Sequence, residues 1–362
     1  MTKVYIVHYC DDKFPHQDSA KWDAIIDEIQ SINPDKIIIL SSTEAAAENI
    51  YEPFYDKVLP YLEKTNKIVN VITPHLKNTY IRNPRFVCEQ TYGNVMAAYP
   101  NFLCSANKPY YWDFGSASVP PYRDVYQFSY LYSCYNVRVA EHRIKMVDAL
   151  ARENLIDRGM VTFHYPEKAE WKYYDGQKRS DEAAYSKESH DHFRYPASFQ
   201  KCFMDIVCET WYEPKMFHIT EKTLRSIAFF KPFLTLSSKG FYKEYLCDYF
   251  GLELYDELFD YSFDDRDSLE ERINGIVINI KRFENLSKAE LSNLYISLIP
   301  KLISNKAKIT EILYNKNKIV PDAFKFMLSD DDVTLYGMTE NSLFEYMHRM
   351  GWCKKYKVNR GI

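Results

Sequence analysis

Glycine is scarce in this 362-residue chain, with only 10 residues, and no Gly-x-Gly-x-x-Gly follows its first apolar run. A dinucleotide site of the usual doubly wound kind needs such glycines for a tight turn and a close approach to the pyrophosphate. Nothing therefore points to a dinucleotide cofactor. A Walker-type loop is missing too, which sets aside phosphoryl transfer by that route. The eight cysteines (Cys10, Cys88, Cys104, Cys134, Cys202, Cys208, Cys247 and Cys353) form no Cys-x-x-Cys pair. Neither a zinc ribbon nor a redox pair is indicated. No apolar run approaches the ~18 residues of a membrane span. No signal peptide is seen, so the cysteines read as reduced thiols of a cytoplasmic protein. Positive charge is not in excess: 46 Lys and Arg stand against 50 Asp and Glu, a net charge of −4. Nonspecific coating of nucleic acid needs a broad basic face, although a local basic groove stays open.

What the chain has in plenty is aromatic residues, 31 Tyr and 22 Phe. Such rings line grooves for sugars and bases, and they also fill cores with a polar handle. The length suits two domains of about 150–200 residues. Lys3 to Tyr9 reads as a strand. Trp22, Ile25, Ile26, Ile29 and Ile32 share one face of a helix, and Lys36 to Leu40 reads as a buried strand. Ser41-Ser42-Thr43 caps a helix from near Glu44, a further helix covers Phe54 to Lys64, and Lys67 to Ile72 is a third strand. This alternation predicts a doubly wound α/β unit, in which ligands bind beyond the carboxyl ends of the strands. Those ends carry His8, Asp11, Asp12, Ser41, Ser42 and His75. Asp11, Asp12 and His75 are acid–base candidates by position, although the two aspartates suit a loop cap equally well. Arg82-Asn83-Pro84-Arg85 is a basic turn. Tyr110-Tyr111-Trp112-Asp113-Phe114 is either a stacking platform around one carboxylate or the last strand of the domain. Pro120-Pro121 is the candidate hinge.

Beyond the hinge the alternation restarts. Strands are predicted over Tyr126 to Tyr135, Met160 to Phe163, Phe203 to Cys208 and Pro232 to Leu236. Helices are predicted over His142 to Glu153, from Thr220, over Tyr242 to Phe250, and over 269–283 and 287–314. Residues 165–197 read as a long loop. Its His190-Asp191-His192 triplet is a poor metal site, because neighbours on a strand point to opposite faces. The expected fold class is α/β, with two Rossmann-like domains facing a cleft. Residues 1–120 form the first domain and 121–320 the second, while a tail of 321–362 packs back toward the first. Basic residues of that tail, among them Arg349, Lys354 and Arg360, suit either a solvated end or a phosphate backbone.

Thr220-Glu221-Lys222 is the sharpest stretch. Thr220 caps a helix through its hydroxyl. Lys222 in the first turn is unfavourable for the helix dipole alone, and it makes sense beneath a bound anion such as a diphosphate. Glu221 suits ribose hydroxyls. On spacing alone, an exposed Glu-Lys pair at an ordinary helix start is the preferred reading.

Asp205-Ile206-Val207-Cys208-Glu209-Thr210, followed by His218-Ile219-Thr220-Glu221-Lys222-Thr223, resembles the donor-binding motif of fucosyltransferases of family 10. In that family a strand ending in an acidic residue precedes an aromatic-Val-Thr-Glu-Lys helix start. Cys208-Glu209-Thr210 stands here in place of the usual Phe-Glu-Asn. The pattern is also similar to bacteriophage-encoded glycosyltransferase-like proteins, and the likeness covers residues 130–265. The resemblance implies a GT-B architecture with the donor in the C-terminal half and the acceptor in the N-terminal half. By it, Glu221 holds ribose, Lys222 neutralises the diphosphate of a nucleotide sugar, and Arg138 or Arg143 contacts phosphate, with Thr220 and Glu209 completing the donor site. No metal or other cofactor is called for, since these groups can stabilise the leaving diphosphate themselves. An inverting reaction needs a base in the first half, and the candidates are Asp12, Asp113 and His75. The acceptor is either a hydroxymethylated base in bacteriophage DNA, flipped out of the duplex, or a surface glycan. The DNA reading places the protein in the host cytoplasm, with Arg82, Arg85 and Trp112 on the acceptor. A nucleotide- or glycan-binding protein without transferase activity is the remaining alternative.

Overall fold

The structure is a computed structural model. It describes residues 2–9, 19–41, 59–64, 69–72, 86–89, 128–136, 140–163, 199, 201–209, 212, 219–315, 325, 333–337 and 357–358. The chain divides into two compact units, one formed by Met1–Ser105 with Ile312–Ile362 and the other by Ala106–Glu311.

In the first unit the elements are β1 (Thr2–Tyr9), α1 (Ser19–Ile32), β2 (Lys36–Ser41), α2 (Leu59–Lys64), β3 (Val69–Ile72) and β4 (Phe86–Glu89). The second unit has β5 (Tyr130–Asn136), α3 (Glu141–Arg152), β6 (Gly159–Phe163), β7 (Cys202–Cys208), α4 (Glu221–Ala228) and β8 (Phe233–Leu236). A π-helix over Phe241–Tyr249, α5 (Leu269–Lys281) and α6 (Lys288–Tyr314) follow. Last come β9 (Val333–Tyr336) and β10 (Lys357–Val358), which return to the first unit.

Ile37 and Ile38 are neighbours, so they point to opposite faces of their strand, and both are fully buried. That is the behaviour of a parallel strand covered on both sides. The first sheet runs β10-β9-β1-β2-β3-β4 with every pair parallel. The second runs β6-β5-β7-β8, again all parallel. The α/β class expected from the alternation is the class observed. β4, β9 and β10 were not predicted as strands. The helix predicted over Phe54 to Lys64 is described only from Leu59. Among the described residues no helix is long and apolar enough to cross a membrane.

The second unit is built on β7, whose seven residues are all buried. One of them is Asp205. Its carboxylate accepts the hydroxyls of Ser133 and Ser226, each at 2.7 Å, and pairs with Arg225 at 3.3 Å. Arg225 also lies over the rings of Phe199 and Tyr135. Ser226 and Arg225 belong to α4, so this ionic cluster pins that helix onto β5 and β7. Removing one partner of such a buried pair costs about 3–5 kcal/mol. The π-helix starts at Gly240, whose φ of 78° favours glycine. The carboxylate of Asp264 accepts the Tyr242 N–H at 2.9 Å and closes that helix start.

Candidate donor site at the β5/β7 switch

In the second sheet the chain leaves β5 for β6 on one side and returns to β7 on the other. The strand order therefore reverses between β5 and β7. Open parallel sheets bind ligands in the crevice beyond such a reversal, at the carboxyl ends of the strands. β5 ends at Asn136 and β7 at Cys208, and the helices that follow them are α3 and α4. A helix start carries unpaired N–H groups and a partial positive charge, so it favours an anion.

Glu209 ties the two helix starts together. Its backbone carbonyl is 2.7 Å from Nε2 of His142, in the first turn of α3. A carbonyl only accepts, so Nε2 carries the proton and Nδ1 is left as the acceptor; Nδ1 has no hydrogen-bond partner among the described residues. The Glu209 carboxylate meanwhile takes three donors at the start of α4: the Thr220 N–H at 3.0 Å, the Thr220 hydroxyl at 2.5 Å and the Thr223 hydroxyl at 2.6 Å. Thr220 is the cap of α4. Its Oγ1 accepts the Lys222 N–H and the Lys222 ammonium, each at 3.2 Å.

Two cations flank these helix starts, Lys222 on α4 and Arg143 on α3. His142 is buried, 1% exposed, with its ring against Tyr212 at a centroid distance of 4.5 Å. Burial, then the charges of Arg143 and Lys222, push its imidazole down to about 4, against the pull of the Glu209 carbonyl. At neutral pH it is an uncharged donor holding a carbonyl, and the local positive charge comes from Lys222 and Arg143. Ala140, the cap residue of α3, gives its helix no side-chain hydrogen bond. Two helix starts with a lysine and an arginine make a place suited to a diphosphate.

Of the residues singled out from sequence, Glu209, Thr220, Lys222 and Arg143 come together here. The first two differ from expectation in their task. Both are 0% exposed, and the Glu209 carboxylate is turned to the helix start rather than outward. They build the site and do not line it. Glu221 is the first residue of α4, and its side chain lies outside the described part of the structure. Arg138, Asp12, His75, Asp113, Arg82, Arg85 and Trp112 also lie outside the described residues, as do Asp11, His218 and the His190-Asp191-His192 triplet. Among the described residues no group of three or more His, Cys, Asp or Glu is placed to hold a metal ion. His142 and Tyr212 were missed by sequence reasoning. The one signal for His142 was a histidine next to an arginine just after a buried strand.

Two crystal structures are among the solved structures that match the chain. Both are crystal structures of an alpha1,3-fucosyltransferase, one of them with GDP. Each is 10% identical to this chain with a TM-score of 0.35. The first match covers 87% of this chain and 90% of the other, and the second 88% and 92%. A likeness of that size carries no argument about activity, so the site rests on its own geometry. No family model matches the chain, and no curated protein sequence matches it.

Proposed function

We propose that the β5/β7 switch binds the diphosphate of a nucleoside-diphosphate sugar and that the chain is a glycosyltransferase of GT-B type. The observation that carries this reading is Glu209 joining two helix starts, with Lys222 on one and Arg143 on the other. In such a transfer the bond from the anomeric carbon to the diphosphate oxygen breaks, a bond to the acceptor oxygen forms, and the acceptor's proton passes to a base, for which the sequence offers Asp12, Asp113 and His75. Negative charge grows on the departing diphosphate. Lys222, Arg143 and the α4 dipole stabilise that charge, and they are fixed before the reaction begins, so little reorganisation is needed. The sequence resemblance to the family 10 fucosyltransferases points the same way and adds Glu221 and Arg138 as contacts. We confine the reading to the donor. The two acceptors suggested by sequence, a hydroxymethylated base in DNA and a surface glycan, separate on DNA binding that strengthens at low salt.

A thermal-shift screen against nucleoside diphosphates and their sugars tests the donor reading. At a hundredfold excess over Kd the true donor stabilises by about 2.7 kcal/mol. Lys222→Ala abolishes most of that shift and lowers turnover by ~10²-fold, the scale of one lost transition-state charge contact. A flat response of the unaltered protein to every nucleotide refutes the assignment.

A further inference from the structure

Arg272 lies far from the site in sequence, in the first turns of α5, and is 3% exposed. Its guanidinium donates to three backbone carbonyls. Nη1 serves Arg266 at 2.8 Å and Asp267 at 3.0 Å, both in the turn that leads into its own helix. Nη2 reaches 60 residues back to Tyr212, at 2.6 Å. Burial lowers its pKa from the usual arginine range, and the charges of Asp264, Asp267 and Glu270 act against that. No ion pair within 4.0 Å joins it to a carboxylate among the described residues. A buried cation is a costly way to fill space, and an apolar residue of similar volume is often neutral or better there. What arginine adds is a rigid planar fork that can serve three fixed acceptors at once; a lysine, a point donor, cannot span them.

The residue at the far end of that fork is the one whose ring lies against His142. Tyr212 lies with its ring at 31° to the imidazole, and the imidazole donates to the Glu209 carbonyl. We propose that Arg272 is a positioning residue for the diphosphate site. It fixes the Tyr212 backbone, so that the Tyr212 ring holds His142, and with it the start of α3, against Glu209. This rests on the donor reading above for what the site binds, and on nothing but contacts for the linkage itself. Arg272 itself has no part in holding the ligand. It acts by keeping the two helix starts in register, and displacement of a binding group by about 1 Å can cost as much as 10²-fold in rate.

Two variants test it, Arg272→Met, which removes the fork, and Tyr212→Leu, which removes the ring and leaves the carbonyl. Tyr212 is only partly buried, so the second variant keeps the fold if the first does not. The ligand-free readout is the imidazole NMR signal of His142 in histidine-labelled protein, assigned by its loss in His142→Gln. In the unaltered protein the signal carries a ring-current shift from Tyr212, and both variants lose it. The second readout is the Kd of inorganic pyrophosphate and of the nucleoside diphosphate that stabilises the unaltered protein most. Both variants are expected to raise it about tenfold or more, with thermal midpoints within a few degrees of each other. An unmoved His142 signal in folded Arg272→Met overturns the linkage. A moved signal with unchanged Kd overturns the positioning role. Failure of the unaltered protein to bind any diphosphate removes the donor reading instead, and the His142 signal then still reports on the linkage separately.

Discussion

Glu209→Gln changes one atom of the hub that joins α3 and α4, and its cost can be worked from the contacts. In the native site Oε1 accepts the Thr220 N–H and the Thr223 hydroxyl, while Oε2 accepts the Thr220 hydroxyl. A glutamine keeps most by placing its oxygen at the Oε1 position. Its NH2 then faces Thr220 Oγ1, whose proton has lost its acceptor. The lone pairs of that Oγ1 already serve the N–H and ammonium of Lys222. One short bond to a buried charge becomes a clash of donors, at a cost of about 2–3 kcal/mol. The flipped amide is worse, since two donors then go unmet. For a unit of this size, 2–3 kcal/mol lowers Tm by about 4–12 °C. Far-UV circular dichroism melts read the shift, and urea unfolding gives the free energy. A cycle with Thr223→Val sharpens the test. The threonine hydroxyl bonds a carboxylate in one background and an amide in the other, so the two changes should couple by about 1 kcal/mol. A Glu209→Gln melt within 1–2 °C of the unaltered protein, or strict additivity with Thr223→Val, refutes the clamp.

Two more outcomes follow from buried groups. His142 has its folded value depressed from 6.5 to about 4, so its contribution is full above 6.5 and is lost as pH falls toward 4. Burial raises Asp264 from 3.8 to about 6, so its contribution is full below 3.8 and is lost as pH rises through 6. Each is worth about 3 kcal/mol at 1.36 kcal/mol per unit, and between pH 6.5 and 4 they nearly cancel. Asp264→Asn should therefore expose the acid sensitivity of His142, with urea-derived stability falling about 3 kcal/mol further over that range than in the unaltered protein; parallel pH curves count against both assignments. Gly275→Ala in α5 puts a Cβ at 2.2 Å from Cβ of buried Phe263. The overpacking cost of about 1–3 kcal/mol meets a helix-propensity gain of up to about 1 kcal/mol, so a net loss is expected in the same assay, and a gain would mean that Phe263 has room to yield.

Much of the fold was legible because it is local. The Ile37-Ile38-Ile39 run is apolar without alternation, and that alone marks a strand with both faces covered. Thr220 could be read as a cap because a cap needs only its own side chain and the next two residues. Other features depend on partners distant in the chain. An acidic residue after a strand can face a ligand or a helix start. Only the fold shows that Glu209 turns to Thr220 and Thr223. His142 gained its role from a carbonyl 67 residues away. The alternation of strands and helices fixed that the sheets are parallel, and it left open on which side of β5 the chain would return. The π-helix at Phe241–Tyr249 was predicted simply as a helix, since apolar spacing does not distinguish i→i+5 bonding over so short a run.

The pairing of β1 with β9 also has a temporal side. Thr2 to Tyr5 of β1 stand opposite Val333 to Tyr336. During synthesis β1 emerges well before its neighbour on that side, which follows more than three hundred residues later. Until then β1 can pair on its β2 side only, and its other edge is open to any extended chain nearby. Residues 106–311 form a continuous block, and among the described residues its strands pair only with one another. Domains generally fold as units while the chain is still growing. The sheet that holds β1 is therefore completed only after residues 106–311 have been made, when β9 and β10 arrive.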